Sequence, residues 1–155
     1  MSAPHDPVAE RWGFYRDTLV VIDVPGFERP VNGPDGLDPW PFGEIIHVLT
    51  AWAPRGAERT DAVNIAANAD LAAQIIRSGG GIVPAKGIAR STAYVGEPGW
   101  LAWGLTRERA LELGQQFVQD AIYEMDASNI RILDCSGDAV SGQGPDRYDE
   151  YSRFL

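Results

Sequence analysis

The run Ile45 to Trp52 is apolar at every position except His47 and Thr50. A short segment with no polar alternation reads as a central strand covered on both faces, so the chain must build a sheet with packed material on each side. Ala53, Pro54, Arg55 and Gly56 stop that strand, and Thr60 or Asp61 can cap a helix running to about Ser78. Gly79, Gly80 and Gly81 then break the helix. The triple glycine follows a helix instead of joining a strand to one, so it reads as a terminator and not as a phosphate cradle.

Around this unit the chain shows further elements. Thr18 to Val24 is apolar and β-branched with Asp23 as its one charge, and reads as a strand ended by Pro25. Gly26 to Gly43 holds four glycines and four prolines with no period and reads as one long loop, either a lid or a linker. Ile82 to Ile88 and Thr92 to Leu105 read as strands, with a sharp bend expected at Gly96-Glu97-Pro98-Gly99. Thr106 caps a second helix to about Phe117, and Ala121 to Met125 with Ile130 to Cys135 form a hairpin. The expected fold is a single α+β domain, its sheet mixed or mostly antiparallel, with two main helices packed on it. Residues 1–11 are expected to be a flexible N-terminus, 12–135 the domain, and 136–155 a tail whose aromatic end can dock back on the domain or on another chain.

At 155 residues the chain can bury a core without metals or disulfides, and 45% hydrophobic with 23% charged residues is ordinary globular composition. The formal charge of -9 repels phosphate backbones and anionic lipid, which argues against nucleic acid as a general partner. The acid excess serves solubility or an acidic docking face. One cysteine, Cys135, and no apolar run after a basic start give the expectation of a cytoplasmic protein, and no run is long enough for a transmembrane helix. Two histidines and one cysteine make a zinc site of ordinary ligands an unpromising reading. No cofactor or metal is expected, and oligomeric state is not legible.

Thr50-Ala51-Trp52-Ala53-Pro54, then Asn64 and Asn68 on a helix, then Glu97-Pro98, then Phe117 through Tyr123 resemble a bacterial family called domain of unknown function number 3293, over about residues 12 to 135. The family pattern has Trp-Asn-Pro where this chain has Trp52-Ala53-Pro54, and Gln-Asn-Ala-Ile where it has Gln119-Asp120-Ala121-Ile122. The resemblance implies a fold boundary and a shared set of polar residues. It implies no established activity.

Asn64, Asn68, Leu71 and Ile75 are spaced four, three and four, which puts both amides on the apolar face of the helix, pointing at the sheet. Buried amides there must satisfy backbone or ligand. Trp52 belongs at the same strand end, where pockets of α/β units open. Glu97, flanked by Tyr94 and Trp100, is a carboxylate that apolar surroundings could tune for proton transfer. Gln119 could orient a ligand and Asp120 could supply a second carboxylate, and Tyr123 ends the run that carries the resemblance. For each there is a structural alternative: loop-tying amides, an exposed turn glutamate, a helix C-cap. His47, inside the central strand, reads as a satisfied core histidine.

The expectation drawn from these residues is a small polar ligand, nucleotide-, sugar- or amino-acid-like, bound in a sheet-edge pocket. Trp52, Asn64, Asn68, Gln119 and Tyr123 would bind it, and Glu97 and Asp120 would be the catalytic pair of a metal-independent acid/base hydrolase or lyase if the chain is an enzyme. The competing expectation is a non-catalytic acidic protein-interaction domain.

Overall fold

The computed structural model describes residues 13–53, 58–91, 95–135 and 148–155. Eight strands form one sheet: β1 Thr18–Val24, β2 Phe27–Pro30, β3 Ile46–Leu49, β4 Gly81–Ala89, β5 Val95–Trp103, β6 Ala121–Met125, β7 Asn129–Asp134 and β8 Tyr148–Ser152. Their order across the sheet is β2-β1-β4-β5-β3-β6-β7-β8, and every ladder is antiparallel. The helices are α1, Asp61–Arg77, and α2, Arg107–Gln116. The sheet curls into a half-barrel, and the fold class is α+β.

Alternation along the strands sorts side chains onto two faces. Leu49, Ala102, Ile122 and Leu133 meet Leu71 and Ile75 of α1 and Ala110 and Leu113 of α2 in the helix-side core. Val20, Ile22, Ile46, Ala85, Leu101 and Tyr123 form the core of the concave face. β3, the apolar run of the sequence, lies between β5 and β6 and is covered on both sides, as its composition requires.

Two segments differ from the sequence expectation. Within the stretch expected to be one long loop, Phe27–Pro30 is an edge strand, and the residues after it are pinned to the sheet. Val31 donates to the Val20 carbonyl at 2.8 Å, and the Asn32 amide accepts from the Val20 N–H and donates to the Thr18 carbonyl, standing in for strand backbone. Beyond residue 147 the aromatic end docks back as β8. Buried Arg153 then donates to the carbonyls of Val31 and Ala127, stacks on Trp40, and accepts from Gly33 N–H through its own carbonyl. These contacts join the chain beyond the two sheet edges and hold the curl.

The expected bend at Gly96 to Gly99 is a correction of a different kind. These residues lie inside β5, opposite β4, with an irregular register between Lys86 and Ile88. The glycines serve close approach and not a turn: a Cβ at Gly96 would collide with the Gly87 carbonyl, and one at Gly99 would come within 2.6 Å of the Leu49 carbonyl. Pro98 is tolerated because β3 pairs with β5 only as far as Leu49 opposite Trp100, so no neighbour needs its missing N–H. No helix among the described residues is long and apolar enough to cross a membrane.

Candidate functional site

A cavity of about 510 Å³ opens in the concave face. Its walls come from inward positions of the central strands, including Val20, Val48, Ala85, Gly87 and Gly99. Small residues at 85, 87 and 99 leave the space that larger ones fill elsewhere on this face. One end is closed by Phe14 and Tyr15, on a helical turn at residues 13–16. That turn is held by a bidentate pair from Arg16 to Asp149 of β8, at 2.5 and 2.8 Å, and by Ser91 donating to the Asp17 carboxylate at 2.6 Å.

Glu97 shares the inward side of β5 with Gly99 and Leu101 and faces this cavity. Among the described residues no hydrogen bond or ion pair holds its carboxylate, and burial alone raises its pKa to about 7. A carboxyl that is neutral about half the time at neutral pH can give or take a proton.

Gln119 and Asp120 enter the same cavity from the α2 to β6 connection. Their placement comes from how α2 ends. Val118 N–H donates to the Gln115 carbonyl and Gln119 N–H to the Gly114 carbonyl, the two bonds of a Schellman cap, with Val118 at φ 57. The equivalent position of α1 is Gly79, at φ 90. A β-branched residue in the left-handed region is strained, and here the strain sits one residue before the cavity. Val118→Gly is expected to stabilise the fold by about 1 kcal/mol, read as a rise in the denaturant midpoint. An unchanged or lower midpoint would contradict the assignment of strain.

Two tyrosines complete the polar lining. Tyr123, inward on β6, donates to the Tyr15 carbonyl at 2.7 Å, and the two rings meet edge to face at 5.5 Å. Burial first, then the charges of Cys135, Asp120 and Glu97, pushes the Tyr15 hydroxyl well above its ordinary pKa. Glu97 and Asp120 therefore act electrostatically on the same phenol.

Trp52, Asn64 and Asn68 are not brought to this cavity. α1 lies on the opposite face, and its amides are spent on backbone. The Asn68 side chain accepts from Ala51 N–H at 2.7 Å and donates to the Pro98 carbonyl at 2.9 Å. Asn64 accepts from Ala53 N–H and from Arg59. They point at the sheet as the spacing predicts, and they tie the end of β3 and the loop after it to the helix. Ala53 has φ 41, a conformation asparagine tolerates better than alanine.

His47 also points away from the cavity. Its Nε2 lies 2.9 Å from Glu124, each side chain 1% exposed, while Nδ1 is buried without a hydrogen-bond partner among the described residues. The Glu124 carboxylate further accepts from Arg107 and Arg131 at 2.6 and 2.7 Å. Burial would raise its pKa, but the hydrogen bonds from His47, Arg107 and Arg131 prevail and hold it far below the usual carboxylate range. This cluster joins α2 to β3, β6 and β7. Among the described residues no group of three or more histidines, cysteines or acids is arranged to hold a metal ion.

Tyr15, Asp17 and the small inward residues of β4 were not singled out as site residues in the sequence. The geometry defines an α+β half-barrel with an acid-bearing cavity in its concave face. Residues 49–122 match the family described as protein of unknown function (DUF3293), and over this stretch the chain is similar to that family. The matched stretch contains Glu97, Gln119 and Asp120. No curated protein and no solved structure matches the chain.

Proposed function

We propose that the chain binds a small polar ligand in the concave cavity and that Glu97 acts on it as a general acid or base. The observation that carries this reading is Glu97 itself: a half-buried carboxylate on a rigid strand, facing a 510 Å³ space, with no hydrogen-bond or ion-pair partner among the described residues. Leaving a carboxylate so placed costs stability, and such groups cluster where a ligand or reaction uses them. Gln119 and Asp120 would orient the ligand, with Tyr123 and Tyr15 as its walls. Asn68 supports the site from the other face, since it holds the Pro98 carbonyl next to Glu97.

The test is a thermal-shift screen of wild type and Glu97→Gln against nucleotides, sugars and amino-acid metabolites. A ligand at a hundred times its dissociation constant adds about 2.7 kcal/mol, and the gain is expected to fall away in the variant. Ligands that shift both proteins equally would remove Glu97 from the site. No shift with any compound would favour a non-catalytic acidic interaction domain.

A further inference from the structure

The cavity has a definite electrostatic sign. Among the described residues its charged lining is Glu97, Asp120, Asp17 and Lys86. Lys86 contributes no cation to the interior, because on β4 it alternates with the inward Ala85 and Gly87, and its ammonium lies on the other face, 3.5 Å from Asp23 and 3.7 Å from Glu28. Arg16, the nearest guanidinium on the closing turn, is engaged by Asp149 and stacked on Tyr151. Three carboxylates thus face the space or its rim, and no described lining residue offers it a cation. The walls between them are apolar or aromatic. Phosphate or carboxylate ligands would meet repulsion here, reinforced by the net charge of -9.

Resting on the ligand-pocket reading above, we propose that the ligand of this cavity is an organic cation: an amine or amidine on an apolar body, its charge met by Glu97 and Asp120 and its body lying against Tyr15 and Tyr123. Aromatic faces beside carboxylates are the ordinary means of holding an alkylammonium group. The pairing also explains why the Glu97 carboxylate is kept without a partner among the described residues, since the ligand supplies the counter-charge. Among the described residues the titratable groups around Glu97 are Tyr15 and Asp17 on the closing turn, Asp120 and Tyr123 from the β6 side, and Lys86, turned away, on β4, with Arg90 just past β4 acting on the Tyr123 phenol. Both tyrosines have their pKa raised, burial being the leading cause, so they stay neutral. Cation binding should therefore favour ionised Glu97, release protons near pH 7, and tighten about tenfold from pH 6 to pH 8.

The experiment uses the full chain and three probes of one shape: 3-phenylpropylamine, 3-phenylpropanol and 3-phenylpropionate. Binding is followed by calorimetry and by amide shifts of residues lining the cavity. The expected result is amine binding at least tenfold tighter than the alcohol, no propionate binding, and loss of that preference in Glu97→Gln and Asp120→Asn. If the alcohol or propionate binds at the cavity as well as the amine, in a Glu97-dependent way, the cation proposal is overturned while the pocket reading stands. If no probe perturbs the cavity at millimolar concentration, or the amine binds unchanged to Glu97→Gln, both fall. The isosteric Gln and Asn variants are checked for native spectra first, so loss of binding is separated from loss of fold.

Discussion

Glu124→Gln is expected to cost about 3 kcal/mol of folding stability, and Glu124→Ala up to about 5 kcal/mol. The carboxylate compensates Arg131, itself only 9% exposed at the side chain, and fixes His47 inside the sheet. Removing its charge leaves a buried guanidinium short of its counter-charge, although Asp126 and Glu150 retain Arg131 partly. Arg107 is 39% exposed and can rehydrate, so most of the loss comes from Arg131 and His47. Because the folded pKa of Glu124 is depressed, its contribution is present above the ordinary carboxylate value and is lost as pH falls below it. Denaturant unfolding at neutral pH measures the effect. The exposed Arg109 to Glu112 pair is the control, and Glu112→Ala should cost less than about 1 kcal/mol. A Glu124→Gln loss as small as the control's would refute the claim that this buried network stabilises the sheet across β3, β6 and β7.

Glu97→Gln has the opposite sign. The folded pKa of about 7 lies above the ordinary 4.5, so the native state holds its proton more tightly than the unfolded chain. Stability contributed by this group therefore falls as pH rises from about 4.5 to 7, and the penalty is complete above 7. A shift of this size corresponds to at most about 3 kcal/mol, and water reaching the half-exposed carboxyl reduces it to about 1–2 kcal/mol. The variant should match wild type at acidic pH and exceed it by that amount at pH 8, while losing ligand affinity. Stability gained by removing a group, together with function lost, is the mark of a residue kept for chemistry. A variant less stable than wild type at pH 8 would show that Glu97 is structural.

The half of the fold with strong local pattern was legible in the sequence. Ile46–Leu49 shows its double burial directly, and Asn64, Asn68, Leu71 and Ile75 announced their shared helix face. The edge strands were not legible, because an edge needs no apolar alternation. Phe27–Pro30 is largely exposed and ends in proline, and Tyr148–Ser152 comes after a run of Gly, Asp and Ser. Gly96-Glu97-Pro98-Gly99 reads as a turn by composition, since sequence cannot show that Gly96 is small because Gly87 lies against it. Glycine for close approach and glycine for reversal look alike in one chain.

The site divides in the same way. Glu97, Gln119, Asp120 and Tyr123 were named from the sequence and share one cavity. Trp52, Asn64 and Asn68 were grouped with them because strand ends and helix starts lie at one edge, a rule that holds for parallel units. In this antiparallel sheet the curl makes a second, concave face, and the cavity forms there. Tyr15 and Asp17 are held there by contacts far away in sequence, Arg16 with Asp149, Ser91 with Asp17 and Tyr123 with the Tyr15 carbonyl, and no local pattern reports such contacts.

The most direct test of the proposed site is the titration of the Glu97 carboxyl by carbon-detected NMR, assigned by its absence from Glu97→Gln. A midpoint near 7, moving down when a cationic ligand binds, is the predicted result. A midpoint at the ordinary value near 4.5 would mean a solvated side chain with no special role, and would contradict the proposed site.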